Sequence, residues 1–284
     1  MIPSLPDSKL ATRGRALYVA LFFVFLLLPL SVVALFAFND SLFPTPPWQG
    51  FSLDWFIADS AERTGLLFDT ELMTSIWHSC KVALAVTVLS LLVGTSNAFL
   101  IERAEFPGKS VLVTMMLIPL VIPGVILGIA ILAFASRLAN LADVLWGLDL
   151  DWLRPGLPLV VLGQFSYIVA ITTLTIAARL KRFDLSIEEA ALNLGASRFA
   201  ILRTITLPYL KPALLGSAAV AFLLSFENFN TTLMLVGSDN PLTVLMYGRM
   251  REGATPVLNA ASLMLMVVSS LAVGILYLRK PSRT

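Results

Sequence analysis

The chain has 284 residues, 57% of them hydrophobic and only 13% charged, with a mean hydropathy of +0.85 and a net charge of +2. A soluble domain carries about twice that share of charge, and the near-neutral balance, with no basic run interleaved with aromatics, excludes a nucleic-acid binder. Cys80 and His78 are the only residues of their kinds, which excludes an internal disulfide and any cysteine- or histidine-rich metal site.

In chain order, Lys9, Arg13 and Arg15 precede an apolar run from Leu17 to Phe38. That run of about 22 residues exceeds a signal-peptide core, and no Ala-x-Ala cleavage site follows it, so it reads as a retained first span. Five more spans follow, giving predicted ranges of 17–38, 77–101, 111–135, 157–178, 212–236 and 258–278. All are apolar on most faces, as a bilayer demands. Within the second, Cys80 reads as a small buried apolar residue, and His78 as a side chain near the membrane interface.

The connections have their own character. Residues 39–76 carry Pro44, Pro46, Pro47 and Trp48; residues 136–156 carry Trp146 and Trp152, which suit a headgroup region; residues 237–257 carry Gly237, Asn240, Pro241 and Pro256. These segments either cover a mouth or contact an external partner, or only connect. Placing the N-terminus inside puts 14 of the 20 lysines and arginines on inner segments, which predicts that both termini face the cytoplasm. Gly108-Lys109-Ser110 has the ending of a phosphate-binding loop, but Arg103 stands where its leading glycine belongs, so Pro107-Gly108 reads as a turn and this chain should not bind ATP.

The segment 179–211 is the informative one. Ser186-Ile187-Glu188-Glu189 fits a capping box, with both acids in the first turn of a helix that Ala190, Ala191 and Leu192 continue. Gly195 suits a left-handed C-terminal cap. Ser197 starts a second short helix carrying Arg198, Phe199, Ile201, Leu202 and Ile205, and Pro208 and Pro212 mark the entry to the next span. By itself, this pattern also fits an ordinary interfacial helix pair.

Polar residues inside spans mark a possible route for solute. Glu227 lies in Ser225-Phe226-Glu227-Asn228-Phe229-Asn230-Thr231-Thr232, roughly 24 Å of helix beyond Lys211. A continuous helix would put Glu227, Asn230 and Thr231 on one face, with Ser225, Asn228 and Thr232 beside it. A carboxylate among amides and hydroxyls prefers a cation; the alternative is interhelical hydrogen bonding. Pro119, Pro123, Gly124 and Gly128 predict a kinked third span, and Gln164, Ser166 and Tyr167 on the fourth are candidates for the same route.

Glu189-Ala190-Ala191, three residues, Gly195, nine residues, Ile205, one residue, Leu207-Pro208 resembles the cytoplasmic motif of ATP-binding-cassette (ABC) importer permeases. Pro119-x-Val121-x-Pro123, Phe183-Asp184 and Gly253-x-x-Pro256-x-x-Asn259-Ala260 are similar to the spermidine/putrescine permease branch, and the similarity covers most of 71–278. Gly124 stands where that branch has an acidic residue, and Glu227-Asn228 where it has paired aspartates, which widens the expected solute from a polyamine to a related small cationic or organic solute.

The resemblance implies an all-α membrane protein of the MetI-like ABC importer permease fold, with six transmembrane helices and cytoplasmic coupling helices. It implies an N-terminal helix and external segment over 1–70, a permease domain over 71–278 with its coupling loop at 179–211, and a cytoplasmic tail at 279–284. Glu188, Glu189, Ala190, Ala191, Gly195, Arg198, Phe199, Ile205, Leu207 and Pro208 would then dock on an ATPase subunit. Implied partners are two ATP-binding subunits carrying ATP and Mg, a second permease chain of sister type, an external solute-binding protein and the bacterial inner membrane. No cofactor, metal or catalytic residue is expected in this chain. A stand-alone ion-coupled carrier or channel is the alternative, recognisable by transport without an ATPase. A membrane enzyme has no nucleophile elbow, acid–base cluster or metal spacing to support it.

Overall fold

Pre-proline geometry and a side chain that competes for backbone hydrogen bonds set the departures from straight spans. The computed structural model describes residues 9–60, 63–253 and 255–278, and within them the chain is helical with no strand. The helices are α1 (Lys9–Phe36), α2 (Asp54–Ile57), α3 (Thr70–Arg103), α4 (Lys109–Val121), α5 (Gly124–Trp146), α6 (Leu157–Leu180), α7 (Leu185–Asn193), α8 (Arg198–Ile201), α9 (Leu207–Phe226), α10 (Asn230–Leu235), α11 (Leu242–Gly253) and α12 (Val257–Leu278). Among the described residues, five helical stretches are long and apolar enough to cross a bilayer: Ala11–Phe36, Thr70–Arg103, Gly124–Trp146, Leu157–Leu180 and Arg198–Phe226. Lys109–Val121 and Val257–Leu271 are shorter apolar helices. The expected tail at 279–284 lies outside the described residues.

Two spans differ from the expectation. The third is not one kinked helix over 111–135 but the pair α4 and α5. Ile122 precedes a proline and takes extended geometry (φ −75°, ψ 129°), and Pro123 has no amide to donate, so the ladder stops and restarts. The fifth is not continuous over 212–236. It ends at Phe226 and resumes as the six-residue α10. Asn228 holds the break open: its Oδ1 accepts from the Thr232 amide at 3.1 Å and the Thr232 hydroxyl at 2.9 Å, and its carbonyl accepts from Thr243 Oγ1 at 2.9 Å.

The chain forms two compact units. In the unit Thr74–Leu245, a core of Val82, Val86, Ala135, Ala139, Leu159, Val160, Ile168, Ala221 and Leu235 joins α3, α5, α6, α9 and α10. Small residues allow the close approach that helices in lipid use in place of a hydrophobic drive. A Cβ on Gly128 would lie 2.8 Å from Met234 Cβ and 3.2 Å from the Thr231 carbonyl, so α5 and α10 touch through that glycine. Gly128→Leu is therefore expected to cost about 1–3 kcal/mol, read as a lower unfolding midpoint of the solubilised chain; an unchanged midpoint would refute this packing.

The other unit takes its described residues from Met1–Met73 and Met246–Thr284. There α1 and α12 line a shallow apolar groove with Leu27, Leu30, Ala34, Leu263, Met266 and Val267. The segment after α1 is a folded piece rather than an open loop. Trp55 Nε1 donates to the Asn39 carbonyl at 3.0 Å, fully buried Asn39 accepts from the Gln49 amide at 2.8 Å, and Arg63 pairs with Asp40 and Asp54. At the start of α3, Asp69 and Glu71 both pair with Arg249 of α11. Burial pushes the Asp69 carboxyl up, but hydrogen bonds from the Arg249 guanidinium and the Leu72 amide outweigh it and hold the group below its ordinary value.

Candidate functional site

Two groups of residues singled out by sequence fall in the unit Thr74–Leu245. The first is the connection between α6 and α9. The cap of α7 corrects the expected capping box. Asp184 is the N-cap, accepting from the Ser186 amide at 3.0 Å, and Ser186 and Glu189 lie inside the helix. Hydrogen bonds from Ser186 hold the exposed Asp184 carboxyl below its ordinary value. An aspartate two positions earlier outcompetes the serine, because its carboxylate reaches the free amides of the first turn with a full negative charge at the positive end of the helix.

The far end of α7 has the predicted left-handed glycine. Gly195 has φ +85°, its amide bonds the Leu192 carbonyl at 2.9 Å, and the Ala196 amide bonds the Ala191 carbonyl at 3.0 Å. These two bonds satisfy carbonyls that the helix end leaves free. Ser197 then caps α8, its hydroxyl accepting from the Ala200 amide at 3.2 Å.

From Leu202 to Thr206 the chain winds as a π turn, with the Leu207 amide reaching the Leu202 carbonyl, before running into α9. Pro208 cannot donate to the carbonyl four residues back, and the widened turn relieves that mismatch. Pro212 sits within α9 rather than before it.

The exposed surface of this helix pair is apolar. Leu194 is 89% exposed and Phe199 72%, with Ile187 and Leu192 about half exposed beside small Ala190 and Ala191. Glu189 and Arg198 are exposed at its edge, whereas Ile205 and Leu207 are half-buried and Pro208 is exposed at the base of α9. Glu188 points the other way. Its Oε1 accepts from Arg103 at 3.1 Å and from the Thr206 hydroxyl at 2.6 Å. Arg103 and Thr206 carry no sequence signal as partners of this loop, since Arg103 lies 85 positions from Glu188.

The second group surrounds the α9–α10 break. Gln164 on α6 is buried; its amide donates to Thr232 Oγ1 at 2.8 Å, and its carbonyl oxygen accepts from the Ser225 hydroxyl. Tyr167 OH accepts from Asn228 Nδ2 at 2.8 Å, and the Thr231 hydroxyl donates to the Gly124 carbonyl at 3.3 Å. Gln164, Ser225, Tyr167, Asn228 and Thr232 thus form one network that stitches α6 to α9 and α10, while Thr231 ties α10 to α5. Ser166 returns its hydroxyl to the Gly163 carbonyl on its own helix at 2.7 Å. Glu227 and Asn230 are exposed at the break, and the interrupted helix replaces the single face expected for Glu227, Asn230 and Thr231. Thr232, named in sequence only as a neighbour, is the network's junction. Among the described residues, no group of three or more His, Cys, Asp or Glu side chains is placed to hold a metal.

Residues 90–282 match the family of binding-protein-dependent transport system inner membrane components. The chain belongs to that family. It is the permease subunit of an ABC importer. This permease is 29% identical over 254 residues to the putrescine transport system permease protein PotI of Escherichia coli (strain K12), covering 89% of this chain and 85% of the relative. It is 28% identical over 260 residues to the spermidine/putrescine transport system permease protein PotC of the same strain, covering 90% of each. In fold, it is similar to a chain of a bacterial ABC transporter that imports the acidic polysaccharide alginate. There the TM-score is 0.69 at 13% identity, over 98% of this permease and 100% of that chain. A chain of the MetNI methionine ABC transporter aligns with a TM-score of 0.53 at 16% identity, over 72% of this permease and 91% of that chain.

Proposed function

We propose that this permease imports a small organic cation of the diamine class, driven by ATPase subunits that dock on α7 and α8. The observation that carries the solute is Glu227, an exposed carboxylate beside Asn228 and Asn230 where α9 breaks. Relatives named for putrescine and spermidine over most of their length support the same class. A carboxylate with side-chain amides beside it, inside a membrane-spanning region, suits an ammonium group that must shed part of its water.

The same reading gives the loop 179–211 the coupling role within a permease domain at 71–278. The capped, nine-residue α7 is stiff, and its apolar face around Leu194 offers a partner a desolvated anchor. Two ATPase subunits would hold ATP and Mg and perform hydrolysis, so this chain is not itself the enzyme. A sister permease chain completes the pathway, an external binding protein delivers the solute, and both termini face the cytoplasm.

The test is ATP-driven uptake of labelled putrescine by the assembled complex. Glu227→Gln is expected to lower uptake about tenfold, equivalent to about 1.4 kcal/mol, while the ATPase subunits still co-purify. Unchanged uptake kinetics would remove Glu227 from the route and leave it a side chain between helices.

A further inference from the structure

Arg103 ends α3, far in sequence from the coupling loop, yet its guanidinium reaches Glu188 on α7 at 3.1 Å. The same Glu188 oxygen accepts the Thr206 hydroxyl at 2.6 Å, from the π turn that leads into α9. Arg103 also lies 5.5 Å from the centre of the Phe183 ring, and Phe183 meets Tyr209 of α9 edge-on at 4.9 Å. Arg179, near the end of α6, lies over the Tyr209 ring, 4.1 Å from its centre. One continuous set of ionic, hydrogen-bonded and cation–π contacts thus joins α7 to the ends of α3, α6 and α9. Beneath it, Ala98, Ile176, Leu180, Phe183 and Leu210 form a buried apolar floor.

The pair is shielded: the Arg103 and Glu188 side chains are each 23% exposed. A charge-assisted bond in that setting is stronger than a surface ion pair. Leu194, at the C-terminal end of α7, is by contrast 89% exposed. The helix is therefore held to the spans at Glu188 and open at its far end. The anchor matters because of where the covalent connections lead. α7 is joined to α6 through Lys181–Asp184 and to α8 through the joint at Gly195, so neither connection reaches α3 directly.

We infer that Arg103 is a positioning residue for energy coupling: its bond to Glu188 makes α7 move as one body with α3 and α9. The inference rests on the reading that α7 docks on an ATPase subunit. Push delivered at α7 then reaches two spans directly, without passing through the Gly195 joint. When the bond is absent, α7 follows the ATPase while α3 stays behind.

Spin labels at Leu100→Cys on α3 and Leu185→Cys on α7, in a Cys80→Ser background, read this directly. Both label sites are exposed. In the full chain in nanodiscs, the distance distribution is expected to be narrow. Arg103→Gln and Glu188→Gln are expected to raise the detached population roughly tenfold, as loss of a charged hydrogen bond implies, and to broaden it. The exchanged pair Arg103→Glu with Glu188→Arg is expected to restore the narrow distribution, which a general loss of folding would not.

In the complex with ATPase subunits, ATP and vanadate should leave the native distance unchanged and shift it in Arg103→Gln. Native width in both single variants, or no nucleotide-dependent shift in Arg103→Gln, overturns the inference. Failure of the ATPase subunits to co-purify with the unsubstituted chain would instead defeat the docking reading, and the widths in nanodiscs would still decide the strut.

Discussion

In Leu194→Asp, the amount of ATPase subunit retained on the purified permease falls about a hundredfold, the loss expected when a central interface anchor is replaced by a charge. Leu194 is 89% exposed at the C-terminal end of α7 and lies next to Gly195, so the substitution removes no packing within the chain. The change acts on the partner alone: a carboxylate must be desolvated without a counter-charge if the interface is to close. Phe199→Asp, on the neighbouring α8 and 72% exposed, should act in the same direction. The check is co-purification from membranes together with the unfolding midpoint of the permease. Retained ATPase in both variants would defeat the assignment of this face as the docking surface. Gly195→Ala is a companion change. No atom would clash with a Cβ there, so any loss reports the φ of +85° alone, at about 1–2 kcal/mol.

Gln164→Leu is expected to lower the stability of the permease by about 1–3 kcal/mol, the sum of two interhelical hydrogen bonds at the values measured in lipid. Gln164 is the only side chain among the described residues that bonds both Ser225 on α9 and Thr232 on α10, and so bridges the two sides of the break. A leucine has a similar volume and fills the space. The loss therefore reports polar satisfaction rather than a cavity, leaving the Ser225 hydroxyl to find a partner on its own helix. Thr232→Val removes the bond to Gln164 and also the bond to Asn228, so its cost should be comparable. Thermal unfolding of the solubilised chain measures both. A midpoint unchanged in Gln164→Leu would show that the network adds nothing to holding α6 against α9 and α10.

The same two sites show where sequence reasoning reached and where it stopped. The left-handed Gly195 and the Ser197 cap were both legible, because each depends on a residue and its immediate neighbours. The capping box at Ser186 was not, because two acceptors competed for one set of amides and the preference lay in geometry. The single fifth span failed for a related reason. Hydropathy averages over 212–236 and does not register that one asparagine, Asn228, offers the backbone a better local arrangement than the helix does.

What the sequence determined by itself was class and drive. Composition and run length require a bilayer, since so few charges leave too little polar surface for water, and the motif from Glu189 to Pro208 marks the family through residue types at fixed spacing, with Gly195 and Pro208 acting on local backbone geometry. Tertiary structure alone decided which polar residues act as adhesive and which stay open. Gln164, Ser225 and Thr232 are buried and bonded to one another and Thr231 is buried against Gly124, while Glu227 and Asn230 remain exposed. It also decided that Glu188 faces inward to Arg103 while Leu194 faces outward. Those outcomes depend on which helices meet, and helices 85 positions apart in sequence meet through shape and the need to pair buried charge, neither of which is written in local periodicity.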